Sequence, residues 1–148
     1  MTRGSDRVRS QPQVDVLFDH ADRRYQPRDH LAVRYEISGL GQDQVRAVEH
    51  SVAWYTEGKG EEDLGVHHFQ RITDEALIPP ATMVGSFATD LPASPLSYEG
   101  VIVKVRWCVR VRIFLAAGRD FVSEHVFDVG MIPPAQRLAG RTAADAEA

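Results

Sequence analysis

Six histidines, His20, His30, His50, His67, His68 and His125, are the residues of this chain with the most open chemistry. A neutral imidazole can ligate a metal or accept a proton near neutral pH. Their spacing favours neither use. His67 and His68 are adjacent, and on a strand neighbouring side chains point to opposite faces. The other four fall in separate segments, and no His-x-Glu, His-Glu-x-x-His or Cys-x-x-Cys spacing accompanies them. The stretch Glu57-Gly-Lys-Gly-Glu-Glu-Asp63 gathers carboxylates but lacks the alternating acidic pattern of a calcium loop, so it reads as a solvated hairpin tip. There is no Gly-x-Ser-x-Gly elbow and no glycine-rich phosphate loop. Cys108 is the only cysteine; cations beside it would lower its thiol pKa, yet a mid-strand position reads as a small packed group. The reading therefore assigns no catalytic residue, no metal and no cofactor. A metal-dependent or hydrolytic enzyme built around His67, His68 and the 57–63 loop is the rival.

A cationic stripe is the stronger candidate. Lys104, Arg106, Arg110 and Arg112 recur at even positions of one alternating run. Alternate strand residues lie about 7 Å apart on one face, so these side chains can converge on an extended anionic segment. The competing reading is a solvated face whose cations pair with carboxylates such as Glu124 and Asp128.

The element that positions the stripe is the run Val101 to Leu115. Its odd positions are all apolar: Val101, Val103, Val105, Trp107, Val109, Val111, Ile113 and Leu115. A helical period of 3.6 would scatter the cations around an axis, whereas a strand sorts them onto one side. Fifteen extended residues span roughly 50 Å, which predicts a bend or bulge, placed near Cys108. A hairpin through Ala117-Gly118-Arg119, with Leu115 opposite Phe121, sets Arg112 against Glu124 and Trp107 against Val129. Shorter alternating runs appear at Val14–Phe18, Leu31–Ile37, Val45–Tyr55, Val66–Thr73, Met83–Ala88 and Phe121–Val129. Seven to eight strands between turn signals, with almost no helical period, predict an all-β antiparallel sandwich of immunoglobulin-like type.

The chain's 148 residues, 43% of them hydrophobic, suit one domain with its own core. Residues 1–12 read as a disordered arm, 13–131 as the folded body, and 132–148 as a flexible or short helical tail. No apolar run reaches the roughly 18 residues of a membrane span. A net charge of −4 argues against a nucleic-acid partner, whose binding rests on cations meeting phosphates. The lone cysteine and the absence of a secretory signal fit the cytoplasm.

Three segments together resemble the arrestin clan of β-sandwich proteins. Tyr25-Gln-Pro-Arg-Asp-His-Leu31 and the alternating strand after it are similar to a strand-opening turn of that clan, with Arg28 where glycine is usual. Phe87-Ala-Thr-Asp-Leu-Pro-Ala-Ser-Pro-Leu-Ser-Tyr-Glu-Gly100 resembles the stretch that leads into a long strand of arrestin N-terminal-type domains. The third is that strand itself, Val103 to Val111. The resemblance covers about residues 14–130 and implies an arrestin-like sandwich that binds proteins or peptides without a reaction of its own. It implies no phosphate-sensing residues here, since none match. The resulting expectation is a non-catalytic adaptor or scaffold module. Its partner is a protein or peptide, possibly acidic, met by strand addition or by the Lys104–Arg112 stripe. Self-association through sheet edges, as in a homodimer, is the second rival.

Overall fold

The computed structural model describes residues 11–40, 45–60, 62–73 and 83–130. Most of the arm expected at 1–12, and the tail expected at 132–148, lie outside the described residues. Nine strands follow in chain order: β1 (Gln13–Phe18), β2 (Arg24–Tyr25), β3 (His30–Ser38), β4 (Val45–Gly58), β5 (Leu64–Ile72), β6 (Met83–Asp90), β7 (Tyr98–Glu99), β8 (Val103–Leu115) and β9 (Asp120–Val129). The expected sandwich is observed. A three-stranded sheet, β1-β3-β6, packs on a larger one ordered β2-β9-β8-β4-β5, with β7 beside β8. Every pairing is antiparallel except the two-residue β2–β9 contact. The strands absent from the expected runs are β2 and β7, too short to carry any periodicity.

Alternation decides which side of each strand is buried. The odd positions Trp107, Val109, Val111, Ile113 and Leu115 of β8 are sealed against Leu31, Val33, Tyr35 and Ile37 of β3 in one apolar cluster. Each such side chain contributes about 1.5–3 kcal/mol by leaving water. Trp107 also donates its indole N–H to the Pro95 carbonyl at 2.8 Å, pinning the segment before β7 beneath the sheet. The Ser94–Pro95 peptide is cis.

Five local expectations are corrected. Val101 is 99% exposed and Ile102 is also exposed, so the buried row does not begin at 101. Gly100 N–H donates to the Val103 carbonyl and Lys59 N–H to the Ile102 carbonyl, which makes 100–103 a turn at the sheet end. The β8–β9 hairpin is shifted by two residues: Arg110 faces Glu124, Arg112 faces Val122 and Trp107 faces Phe127. A slip of two leaves every side chain on its expected face and changes only the partners. The loop is longer than three residues; Leu115 N–H reaches the Arg119 carbonyl, and Gly118 sits at φ +86°. The bulge is not at Cys108. β8 runs in unbroken register with β9 from Trp107 to Phe114, and the irregularities fall in its neighbours' pairings, near Val45 and at His67. At His67 one extra residue of β5 is inserted, because Val52 pairs with His68 while Ala53 pairs with Val66. Such an insertion re-aims side chains. His67 and His68 consequently point the same way, into the seam between the sheets, and not to opposite faces.

The turn before β3 bears out the Arg28 observation in physical form. Arg28 has φ +69°, the left-handed conformation that glycine adopts without penalty, and the Asp29 carboxylate accepts from Gln26 N–H to hold it.

Candidate functional site

The outer face of the larger sheet carries the stripe. Pairing across β9, β8, β4 and β5 lines up Val122, Arg112, Glu49 and Arg71 in one row. Glu124, Arg110, Ser51 and Phe69 form the next, and Val126, Cys108, Ala53 and Val66 the one after. Arg106, Tyr55 and Leu64 complete the face.

Each of the four expected site residues has a carboxylate partner. Lys104 Nζ lies 3.6 Å from Glu99, and Arg106 lies 3.1 Å from both Glu57 and Glu99. Arg110 Nε lies 3.3 Å from Glu124, and Arg112 Nε donates to Asp120 at 2.8 Å. The guanidinium groups of Arg71 and Arg112 also lie over the Phe114 ring, at 4.8 and 4.7 Å. The Arg110 Nε is buried and within ion-pair reach of Glu124, yet it makes no hydrogen bond. Cys108 lies among these cations but is buried, and burial, with Glu124 nearby, pushes its thiol up to about 12. The packed-group reading of Cys108 therefore replaces any lowering by neighbouring charge.

What the stripe reading missed is the apolar company. Leu64, Val66, Phe69, Val122 and Val126 all project from this face with large exposure; Phe69 is 56% exposed. Two depressions break the surface. One, of about 350 Å³, is lined by Tyr55, Leu64, Arg110 and Glu124; the other, of about 180 Å³, by Val66, Phe69, Arg110, Arg112 and Val122. Arg110 separates them. An extended chain lying here would meet apolar hollows between charged rungs, a pattern suited to alternating side chains.

The histidines lie elsewhere. His50 is 1% exposed; its Nε2–H donates to Gln70 Oε1 at 3.1 Å, leaving Nδ1 to accept from the Tyr35 hydroxyl at 2.9 Å. His50 and His68 both stack on Phe87, at 4.4 and 5.2 Å, and His68 Nε2 has no hydrogen bond. His67 donates to the Asp90 carbonyl at 2.7 Å, tying β5 to β6. Burial lowers the pKa of both His50 and His68. The 57–63 tip closes at the other end of β5, where Asp63 N–H donates to Thr56 Oγ1. Among the described residues no three His, Cys, Asp or Glu side chains converge as cation ligands. No described helix is long and apolar enough to cross a membrane.

The crystal structure of Spo0M, a sporulation control protein from Bacillus subtilis, matches this architecture with a TM-score of 0.61 at 19% identity. The fold is arrestin-like. The match covers 80% of this chain and 49% of that one, so this arrestin-like sandwich spans about half the length of its neighbour. No family model and no curated protein matches the sequence.

Proposed function

We propose that this chain is a non-catalytic binding module of the arrestin clan that takes an extended protein segment on the outer face of its larger sheet. The observation that carries the reading is the exposed apolar set Leu64, Val66, Phe69, Val122 and Val126 around an ion-paired arginine stripe. Exposed apolar clusters rimmed by charge mark interaction surfaces. The stripe acts in a changed sense. Because Lys104, Arg106, Arg110 and Arg112 already hold carboxylates, net positive charge does not capture the partner; apolar side chains seat in the two depressions on either side of Arg110. The lone buried Cys108 supports service in a reducing cytoplasm. Selection from a displayed library of extended peptides tests the reading. Enrichment against the native protein that disappears with Phe69→Asp supports it. No enrichment, or equal enrichment against the variant, overturns it.

A further inference from the structure

Sheet edges differ in how far they are closed. β5 is interrupted by the extra residue at His67, and β6 is tied at Asp90 by the His67 ring. β1 offers only six residues. The β9 edge is unlike these. β2 covers it only at Asp128 and Val129, where Asp128 N–H donates to the Arg23 carbonyl at 2.9 Å and Gly130 N–H to the Tyr25 carbonyl at 2.8 Å. Backbone groups of a strand point alternately to its two sides. Since Asp128 points away from β8, the N–H and C=O of Val126, Glu124 and Val122 point the same way, and no described strand pairs with them. Among the described residues, the chain does not fill this place itself. It turns through His20–Arg23, with Arg23 at φ +56°, enters the edge for two residues and leaves at Gln26-Pro27.

The side chains beside this edge have a regular order. Asp120, Val122, Glu124, Val126 and Asp128 alternate acid and valine along the outer face of β9. A second copy of this edge gains nothing by pairing with it. Antiparallel registers that set valine against valine also set acid against acid, and the intermediate registers set acid against valine. A strand with cations at every other outward position fits instead: Arg110 and Arg112 hold Glu124 and Asp120 from one side, and the incoming cations hold them from the other. The edge thus rejects its own kind while staying open to a complementary strand.

We infer that the open edge of β9 is where an extended segment of another protein, bearing Lys or Arg at alternate outward positions, adds as a further strand through Val122, Glu124 and Val126. This edge is a second site beside the outer face: a strand added at β9 lies in the plane of the sheet and not across it, so the two are tested apart.

Backbone amide exchange, followed residue by residue in the full chain, tests it in two arms. In the free protein the amides of Val122, Glu124 and Val126 exchange faster than those of Phe121, Ser123 and His125, which face β8. Equal protection of both sets overturns the inference. So does protection that vanishes on deleting residues 1–10, since the chain's own Arg-bearing start would then be the occupant. In the second arm a labelled nonapeptide, Arg-Thr-Val-Thr-Arg-Thr-Val-Thr-Arg, is the probe, with a version carrying Glu for Arg as control. The basic peptide protects those three amides and binds at least about tenfold tighter than the acidic one. Val122→Pro removes one outward donor where an edge strand tolerates proline, and weakens binding about tenfold with the melting temperature kept. Equal binding to Val122→Pro, or equal binding of both peptides, overturns the edge. If library-selected peptides still depend on Phe69 in that case, the outer-face function stands without it. Should Val122→Pro not fold, the exchange comparison still decides.

Discussion

Reversing two charges of the stripe, Arg106→Glu with Arg110→Glu, measures what the outer face contributes to the fold. The double variant removes three ion pairs: Arg106 with Glu57, Arg106 with Glu99, and Arg110 with Glu124. The side chains involved are 28% to 49% exposed, so solvent screens each pair. Exposed pairs contribute about 0.2–1 kcal/mol each, and the larger figure is an upper bound here because Glu57, Glu99, Arg110 and Glu124 are all more than a third exposed. Screening about halves this range, so the three pairs lose about 0.3–1.5 kcal/mol; like-charge repulsion of similar size brings the loss to about 1–3 kcal/mol. At roughly 4 °C per kcal/mol for a domain of this size, the melting temperature falls by about 4–12 °C. Raising salt to about 0.5 M recovers a good part of the loss, because the Debye length shortens to a few ångströms. The assay is a thermal melt at low and high salt, alongside the swap Arg110→Glu/Glu124→Arg, which restores about the share of Arg110. A loss well above 5 kcal/mol, no recovery in salt, and no rescue by the swap would together refute the view of the stripe as a surface ladder.

Three further outcomes follow from other parts of the molecule. His50, His68 and His125 all have lowered pKa values, burial being the leading cause in each. Their neutral forms are the folded ones, so they cost nothing above about pH 6.5 and destabilise progressively as pH falls below it. Denaturant melts at pH 7.5 and 5.5 therefore show lower stability at 5.5, and an unchanged or higher value would contradict the buried-neutral assignment. The Cys108 thiol, pushed up to about 12, resists a thiol reagent in native buffer and reacts rapidly once the protein is unfolded; rapid native labelling would disprove its burial. Arg28→Gly relieves a left-handed residue at φ +69° and changes stability by between zero and a gain of about 1 kcal/mol, so a loss beyond that in a denaturant melt would deny the strain.

The faces of the strands were legible because burial is written one residue at a time. Trp107 to Leu115 alternates in the sequence and, Cys108 excepted, is buried as it alternates. Partners were less legible. Pairing depends on where the loop closes, and a closure two residues away moved Glu124 from Arg112 to Arg110 without disturbing any face. The cationic stripe was found; the apolar cluster beside it was not. Leu64 and Val66 sit at even positions and Phe69 at an odd one, so strict alternation separates them. The extra residue at His67 brings all three to the same side, and a two-against-one pairing is invisible without the partner strand. Val122 and Val126 join them from a strand some sixty residues away, through two intervening strands, a proximity no local pattern records.

Isotope-edited NMR of the folded chain, titrated with a peptide selected for binding, locates the occupied surface. Shifts concentrated on Leu64, Val66, Phe69, Val122, Val126 and the Arg110 guanidinium are the predicted result. Shifts gathered instead around Leu17, Ala32 and Ala88 on the smaller sheet would contradict it.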